Sequence, residues 1–533
     1  MHIRAIGMNM TPADDPRAAV RRGMYWVLIA VGLGAALGRI LAVDAVDRSG
    51  VEKDHIDRDV AEARKALAAK GLAGGALDEA LLEKKSRIEE KWRLRRPFLS
   101  ANDRSRWCTV RALVEPEMRV PDAPYAIDRV IQQPNWDTID MVKHDGHLYS
   151  SKPPLLPTLM AAEYWVLYRL GWSLAAEPFL VGRIILITFN GGCLLLYFLA
   201  VARMVERLGT TDWGRLFVIA AAVGGTFVTT FAVVINNHLV GAACAAVALD
   251  ALLRIWLEGI RHTPRAVAEG TRIVPDALRL RWFVVAGLAA AFLAGDELPA
   301  LALAAPLTLI LLWKAPRRTL LGFVPAGLLV AAVFFGTNWI AHHSLVPAYL
   351  HHSPGDNWYD YQYERAGRVI ESYWNHPVGL DAGEPSVGRY ALNVLVGHHG
   401  IFSLTPLWLM SLCGTILWLR RGSDRRLRAL AGLVAVVSLV CVGFYLLRPL
   451  AGRNYGGMNC CFRWALWMAP LWLAVMLPSA DAVAEQAASG RRRWPQALAM
   501  LLLAASALSA HYATWNPWTN PWIVDFLRYL GLA

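Results

Sequence analysis

The stretch that decides the fold class runs from Met24 to Val43 and reads MYWVLIAVGLGAALGRILAV. Its length matches the roughly 20 apolar residues that an α-helix needs to cross about 30 Å of hydrocarbon. The apolar residues are continuous and do not alternate with polar ones, so the pattern predicts a membrane-spanning helix and not a strand of a barrel. No small-residue cleavage site follows, and we therefore expect a retained anchor, not a cleaved signal peptide.

Similar apolar blocks recur along the 533-residue chain, which is 56% apolar and contains 22 tryptophans. They predict an all-α integral membrane protein with about eleven transmembrane helices. After the first helix at about 24–43, the predicted spans lie at about 179–203, 215–234, 239–257, 282–295, 298–314, 319–340, 401–419, 428–447, 464–480 and 495–512.

Basic residues fall in the short loops that join alternate spans, and this distribution predicts the orientation of the chain. The N-terminal tail, with Arg4 and Arg17, is expected in the cytoplasm, and the C-terminus is expected outside the inner (plasma) membrane. The formal net charge of +12 therefore reflects membrane topology, and no nucleic-acid partner is expected. The predicted inner loops carry Arg203, Arg207 and Arg215, then the basic residues of 254–281, 314–318, 420–428 and 491–493.

This topology divides the chain into three regions. Residues 1–43 form a cytoplasmic tail and the first transmembrane helix, and residues 44–178 form a large extracytoplasmic loop. Residues 179–533 form a polytopic transmembrane domain, with a second extracytoplasmic loop at 341–400. Most of the unusual polar residues collect on the predicted outer side, so we expect any chemistry there.

The large loop contains two predicted helical features. Residues 51–96 are charged and are interrupted by Gly71, Gly74 and Gly75, which predicts a helical hairpin with solvated faces. This insert is a candidate surface for a protein partner. Residues 153–171 are apolar and aromatic, and we expect them to lie along the outer interface as an amphipathic helix and not to span the membrane.

Two short motifs in the large loop carry the functional signal. Residues 102–107 read NDRSRW, and residues 149–156 read YSSKPPLL. Their order resembles the GT-C glycosyltransferases of family 39 type, which include aminoarabinose transferases and protein O-mannosyltransferases. In that family an Asp-Glu-x-Arg-Tyr motif opens one juxtamembrane helix and a Tyr-x-x-Lys-Pro-Pro-Leu motif opens a second. The resemblance implies a GT-C fold with juxtamembrane helices in the first outer loop, and a polyprenyl-phosphate-linked sugar as donor.

The resemblance also implies roles for individual residues. Asp103 matches the catalytic aspartate of the family, Arg106 and Trp107 match its Arg-Tyr pair, and Lys152 matches the lysine of its Lys-Pro-Pro. The chain departs from the family pattern at two places in these motifs, where Arg104 replaces the usual glutamate and Ser151 replaces an acidic residue. A third departure is Asn236-Asn237-His238, which stands where the family usually has an acidic residue between spans 3 and 4.

Elementary chemistry gives Asp103 a role independently of the family. Transfer of a sugar from a polyprenyl phosphate requires the acceptor hydroxyl to lose its proton as its oxygen attacks the anomeric carbon. A carboxylate within hydrogen-bond reach can remove that proton as a general base, and direct displacement inverts the anomeric centre. The alternative interpretation is that Asp103 only caps the N-terminus of its helix.

The leaving group of such a reaction is a lipid phosphate, which cations would stabilise. The alternative for interfacial arginines is simple snorkelling toward lipid headgroups. The candidate donor phosphate-binding residues are Lys152, Arg106, Arg453 and Arg463.

Other polar residues on the predicted outer side are expected to line the substrate cavity. Carboxylates at the membrane edge mark function by default, although they can also cap a helix. Adjacent histidines diverge on a helix, and no His-x-x-x-His spacing occurs, so we expect no cofactor and regard a metal as the less favoured interpretation. The candidate cavity residues are Trp107, Tyr149, Asn237, His238, Asp296, Glu297, His398, His399 and Tyr455.

The residues thus predict a membrane glycosyltransferase that acts on a lipid, glycan or protein hydroxyl, with membrane lipids as its surroundings. Two alternatives stay open. A lipid-linked glycan transporter could use the same cavity without catalysis, although no internal repeat is visible. A catalytically inactive scaffold could instead recruit a partner through the 51–96 insert.

Overall fold

The structure is a computed structural model that describes residues 16–42, 51–92, 98–258, 279–420, 422–490 and 492–532. The tail around Arg4, the loop 259–278 and Arg491 lie outside the described residues. Two compact units make up the chain. The bundle unit contains residues 1–42, 183–339 and 376–533, and the loop unit contains residues 43–182 and 340–375.

Helices dominate both units, as the apolar and charged patterns predict. In chain order the helices are α1 (Pro16–Ala42), α2 (Val51–Ala69), α3 (Gly75–Trp92), α4 (Ala101–Val114), α5 (Asp128–Ile131), α6 (Leu155–Arg169), α7 (Pro178–Leu186), α8 (Gly192–Leu208), α9 (Asp212–Gly224), α10 (Asn237–Leu253), α11 (Leu280–Asp296), α12 (Leu301–Lys314), α13 (Pro316–Arg318), α14 (Val324–His342), α15 (Val387–Leu395), α16 (Ile401–Leu404), α17 (Trp408–Leu419), α18 (Arg425–Leu446), α19 (Ala469–Ala488), α20 (Trp494–Tyr512) and α21 (Trp522–Tyr529). The strands form three antiparallel pairs, β1 (Met141–His144) with β2 (His147–Ser150), β3 (His352–Ser353) with β4 (Asp356–Asn357), and β5 (Gln362–Arg365) with β6 (Arg368–Glu371).

Six of the described helices are long and apolar enough to cross a membrane, and two shorter apolar helices accompany them. The chain is therefore a membrane protein by the length and composition of its helices, while the count of about eleven spans stays a prediction. The six helices cover Pro16–Ala42, Pro178–Leu208, Asn237–Trp256, Pro316–His342, Arg425–Leu446 and Arg463–Ala488, and the shorter two cover Leu298–Lys314 and Trp408–Leu419.

Two predicted spans are not continuous helices. The span expected at 215–234 is helical only as α9, because Gly224 and Gly225 end it and a 3₁₀ turn follows at Thr230–Val233. The span expected at 401–419 is divided into α16 and α17, because Pro406 between them has no N–H to continue the helical ladder.

Ion pairs connect neighbouring helices of the bundle unit near their charged ends. Arg21 of α1 donates from Nε to Glu206 Oε1 at 2.7 Å and also pairs with Asp212 at the start of α9. Arg207 of α8 pairs with Asp250 of α10, whose carboxylate is almost fully buried. Arg21 and Asp250 are buried, and a buried charge is costly unless it is paired, so these contacts stabilise the packing of α8 against its neighbours.

Small residues bring the bundle helices into close contact. A Cβ atom at Gly287 of α11 would lie 2.3 Å from the backbone oxygen of Phe323, and one at Gly414 of α17 would lie 1.9 Å from that of Val475 in α19. Lipid tails are as apolar as the helix surfaces, so the hydrophobic effect contributes little to helix association in a membrane. Close backbone packing of this kind is therefore a main source of that association.

A buried ion pair also lies at the centre of the loop unit. Arg111 of α4 donates to both carboxylate oxygens of Glu115, and the Tyr164 hydroxyl of α6 donates to the same carboxylate at 2.7 Å. The Arg111 guanidinium also lies 4.3 Å from the ring centroid of Trp136. These contacts join α4 to α6 and to the segment that leads into β1.

The predicted outer loop 341–400 is divided between the two units, which the sequence did not indicate. Residues 340–375 pack in the loop unit, where the Trp374 indole donates to the backbone oxygen of Ile139 at 2.8 Å and the backbone N–H of Lys143 donates to Trp358 O at 2.9 Å. Residues 376–400 belong to the bundle unit.

The insert and the second predicted juxtamembrane element are helical. α2 and α3 pack as a hairpin across a turn in which Gly71 and Gly74 adopt positive φ angles of 84° and 57°, a conformation that glycine alone adopts readily. α6 has 15 residues, fewer than the roughly 20 that a spanning helix needs, and Trp165 on it is 50% exposed. Its place along the membrane interface stays a prediction.

Candidate active site

The first turn of α4 positions Asp103. The N-cap of α4 is Ser100, whose hydroxyl accepts a hydrogen bond from the Asp103 backbone N–H at 3.1 Å. Asp103 is therefore the third residue of the helix, and its interpretation as the N-cap is wrong.

An indole orients the Asp103 carboxylate. Trp107, one turn further along α4, donates from Nε1 to Asp103 Oδ1 at 3.0 Å. Trp107 is fully buried and stacks on the Phe98 ring at 4.3 Å with an interplanar angle of 6°. Since the indole is fixed by this packing, it restricts the rotamer of the carboxylate that it contacts.

Lys152 forms an ion pair that sequence reasoning missed. Its Nζ lies 2.7 Å from Asp140 Oδ1, and the Ser151 hydroxyl donates to the same oxygen at 3.0 Å. Burial alone would raise the pKa of Asp140, but Lys152 and Ser151 outweigh burial and hold the pKa below its ordinary value of 3.8. Asp140 lies in neither of the two motifs. In the structure it directly precedes β1 and lies opposite the end of β2.

The two motifs of the large loop come together in the loop unit. The hydroxyls of Ser105 in α4 and Ser150 in β2 form a hydrogen bond of 3.0 Å. Thr138, two residues before Asp140, donates from its hydroxyl to the backbone oxygen of Ala101 at 2.7 Å. Arg106 is close enough to favour the ionised form of Asp140. Asp103, Arg106 and Lys152 therefore belong to neighbouring elements of one packed unit.

Tyr149, a predicted cavity residue, is packed inside the loop unit. It lies in β2, is 5% exposed, and meets the His342 ring edge-on at 4.9 Å. Burial raises the pKa of its phenol to about 12, so the hydroxyl is protonated at neutral pH.

In the bundle unit, four predicted residues form one buried network. His238 Nδ1 lies 2.5 Å from Glu297 Oε1, and the Asn237 amide donates to the same oxygen at 2.8 Å. Arg463 Nη1 lies 3.0 Å from His238 Nε2. A guanidinium only donates, so His238 Nε2 accepts and the imidazole proton is on Nδ1, directed at Glu297. Asp296, beside Glu297, is the last residue of α11, and its backbone oxygen accepts from Asn237 at 3.4 Å.

The Arg463 guanidinium is held by a glycine turn. Its Nε and Nη2 donate to the backbone oxygen of Gly456 at 2.9 and 2.7 Å, and its carbon atom Cζ lies 4.9 Å from the ring centroid of Trp518. Gly456 has a φ of 91°, and a Cβ there would lie 2.9 Å from Arg463 Nε. Only glycine satisfies both requirements.

A second cluster of the bundle unit surrounds Tyr455. The His399 ring stacks on Tyr455 at 4.8 Å, and the Tyr390 ring lies 4.9 Å from Tyr455. His398 Nδ1 and His399 Nδ1 share a hydrogen bond. Burial and then His398 lower the pKa of His399 to about 3, so this imidazole is neutral at physiological pH. We call Tyr390, His398, His399, Arg453 and Tyr455 the Tyr455 cluster.

Several polar atoms of the Tyr455 cluster are buried without a hydrogen bond. They are Nε and Nη1 of Arg453, the hydroxyl of Tyr390 and Nε2 of His399, none of which has a partner among the described residues. Burial raises the pKa of Tyr390, and the charges of Arg448 and Arg453 act against that rise, which places Arg453 within electrostatic range of the phenol. Unpaired buried donors are costly, and a bound anion would satisfy them.

The predicted site residues thus divide between the units. The loop unit holds Asp103, Arg106, Trp107, Tyr149 and Lys152, and the bundle unit holds Asn237, His238, Asp296, Glu297, His398, His399, Arg453, Tyr455 and Arg463. Within the described ranges, no group of three or more His, Cys, Asp or Glu side chains could hold a metal ion.

Comparison with known proteins finds structural likenesses but no relative by sequence. No protein family and no curated protein matches the chain. A solved structure of the Archaeoglobus fulgidus oligosaccharyltransferase with Zn and sulfate is similar at 12% identity and a TM-score of 0.37, over 81% of this chain and 55% of that one. The archaeal enzyme with an inhibitory peptide and a dolichol-phosphate is similar at 11% identity and a TM-score of 0.36, over 79% and 56%. This chain spans little more than half the length of those proteins, and likeness of this degree establishes no activity for it.

The Asp140–Lys152 pair predicts a pH-dependent contribution to stability. Because the folded-state pKa of Asp140 is lowered, its ionised form stabilises the fold above pH 3.8, and this contribution is lost as the pH falls through the lowered value. At pH 7, Asp140→Asn leaves the Lys152 ammonium without its carboxylate and should cost about 3 kcal/mol. Thermal unfolding of the purified protein should therefore show a lower Tm for the variant, by a margin that shrinks below pH 3.8.

Asp145→Asn is the matched control, because the Asp145 side chain is 67% exposed in the turn of the same hairpin. Equal Tm values for Asp140→Asn and the wild type at pH 7 would contradict a stabilising ion pair.

Proposed function

We propose that the protein is a GT-C membrane glycosyltransferase that transfers a sugar from a polyprenyl-phosphate donor to a hydroxyl of a lipid, glycan or protein on the extracytoplasmic side. The observation that carries this proposal is the orientation of the buried Asp103 carboxylate by Trp107, in the same packed unit as the Asp140–Lys152 pair. The motif resemblance to family 39 supports the same residues independently of their contacts.

In the proposed step, Asp103 accepts the proton of the acceptor hydroxyl while the acceptor oxygen attacks the anomeric carbon of the sugar. The bond between the anomeric carbon and the phosphate oxygen breaks, and polyprenyl phosphate leaves with its electron pair. One displacement inverts the anomeric centre. The products are the glycosylated acceptor, polyprenyl phosphate and a proton held on Asp103, so the step balances without a further reactant.

Lys152 is proposed to neutralise charge on the leaving phosphate, with Arg106 beside it. Asp140 is proposed as a positioning residue for Lys152 and not as a second base. Its Oδ1 already accepts from Lys152 and Ser151, and these contacts favour its ionised, engaged state. Ser151 holds the Asp140 carboxylate, and Asp140 in turn holds the Lys152 ammonium group. An ammonium group held in place loses less entropy when it binds a phosphate.

Within the bundle unit taken by itself, Arg453 is proposed as a ligand of a polyprenyl phosphate. A snorkelling arginine extends its charged end into water, whereas Nε and Nη1 of Arg453 are buried without a hydrogen bond to any described group. A phosphate would supply the acceptors, and a guanidinium matches its geometry with two parallel hydrogen bonds. Arg463 differs because Gly456 and His238 already engage it, and its proposed contribution is the positive charge it adds near the Gly456 turn.

The α2–α3 hairpin is proposed as a surface for a protein partner. Its exposed faces carry pairs of opposite charge such as Arg87 with Glu83, at 2.8 Å. Charge pairs of this kind allow the helix faces to stay exposed to water. A partner would therefore bind these faces by charge complementarity.

Asp103→Asn tests the proposed function in cells. The amide preserves the acceptor for Trp107 Nε1 but cannot take a proton, so transfer should fall by about 10²–10⁴-fold. The measurement is mass spectrometry of lipids and glycans in a deletion strain that carries either the wild-type gene or the variant at equal membrane abundance.

The wild type should restore a sugar-bearing species that the deletion strain lacks, and Asp103→Asn should not. Full restoration by Asp103→Asn would contradict the enzyme and favour a glycan transporter or an inactive scaffold.

Arg453→Gln tests the proposed phosphate site. A hydrogen-bonded charge contributes about 1.5–3 kcal/mol, so the variant should bind polyprenyl phosphate roughly 10- to 100-fold more weakly. Binding is measured on the purified protein with polyprenyl phosphate alone. Arg317→Gln is the control, because Arg317 is an exposed arginine outside the Tyr455 cluster. Unchanged affinity in Arg453→Gln would remove Arg453 from the site.

A further inference from the structure

An apolar groove opens between α1, α9 and α20 of the bundle unit. Its volume is about 310 Å³, and all nine residues that line it are apolar or aromatic, including Val27, Leu216, Phe217 and Met500. Ligand pockets commonly measure about 300–1,000 Å³, so the groove is large enough for part of a lipid. None of its residues belongs to the proposed active site.

The groove lies between three helices that run in the same direction. The pairing of Arg21 with Asp212 brings the beginnings of α1 and α9 together. The Thr230 hydroxyl donates to the backbone oxygen of Ala510 at 2.8 Å, which places the end of α20 beyond the end of α9. The N-terminal ends of the three helices therefore lie at the same end of the groove.

Exposed arginines precede α20 at that end of the helices. They are Arg492 and Arg493. Arg22 of α1 is also exposed, but it lies about 160° around the helix from Met24 and so faces away from the groove. Arg21 is not available to bind an anion, because Glu206 and Asp212 neutralise its charge. At 1.5 Å per helical residue, Arg493 lies roughly 10 Å along the axis from Met500.

We infer that this groove binds an acyl chain of an anionic phospholipid, whose phosphate is held by Arg492 and Arg493. An apolar groove between membrane-spanning helices faces hydrocarbon. A lipid chain is therefore the occupant whose chemistry fits it. The arginines begin about where a phosphate would lie if the chain filled the groove, and basic residues at a membrane surface select anionic headgroups. The site is separate from the proposed donor site and does not depend on the proposed function.

Native mass spectrometry of the purified full-length protein tests this inference. The protein is equilibrated with equal amounts of phosphatidylglycerol and phosphatidylcholine that carry identical acyl chains. The wild type should retain phosphatidylglycerol preferentially, by about fivefold for each arginine engaged. Leu216→Trp fills the groove and should reduce retention of both lipids, whereas Leu329→Trp, at a position that is 61% exposed on α14, should not. Met500→Trp repeats the test from α20 if Leu216→Trp lowers the Tm.

The double variant Arg492→Gln and Arg493→Gln should still retain lipid but lose the preference for phosphatidylglycerol. Arg317→Gln, an exposed arginine at the start of α13, is the control and should keep the preference. Equal retention of the two lipids by the wild type would overturn the inference, as would unchanged retention in both tryptophan variants. Sugar transfer should be unaffected in all of these variants, so failure here is distinguishable from failure of the proposed function.

Discussion

The ion pair between Asp140 and Lys152 is the contact on which the arrangement of the proposed catalytic residues depends. Asp140 directly precedes β1 and Lys152 follows β2, so the pair closes the open end of the hairpin. Ser150 at the same end bonds to Ser105 of α4, which also carries Asp103. Both charges are largely buried, and pairing offsets the free-energy cost of removing each of them from water. The ion pair and the Ser105–Ser150 hydrogen bond therefore join the end of the hairpin to the helix that carries Asp103.

Local features of the site were accessible to sequence reasoning, and the pairing of charges was not. Asp103, Arg106 and Lys152 lie in short motifs whose spacing is visible in the chain. Asp140 lacks such a motif, because its partner lies 12 residues away across a hairpin turn. Arg111 and Glu115 lie four residues apart, like many exposed helical pairs, and nothing in the sequence shows that both are buried.

The same distinction holds in the bundle. Arg453 and Arg463 look equivalent in sequence, yet tertiary contacts separate them: Gly456 and His238 engage Arg463, whereas two nitrogens of Arg453 are buried without a described partner. Apolar length identifies the long helices, while Gly224, Gly225 and Pro406 interrupt two predicted spans. These helix-breaking residues are local signals that are visible in the sequence. The division of the second outer loop between the units depends on contacts that are distant in sequence.

The central claim is that one carboxylate, Asp103, acts as a base in a single displacement, while Asp140 is occupied by Lys152. The most direct test is the anomeric configuration of the transferred sugar, determined by NMR on the product of the purified protein and compared with that of the donor. The account predicts inversion. Retention would contradict it, because a single in-line displacement always inverts the anomeric centre.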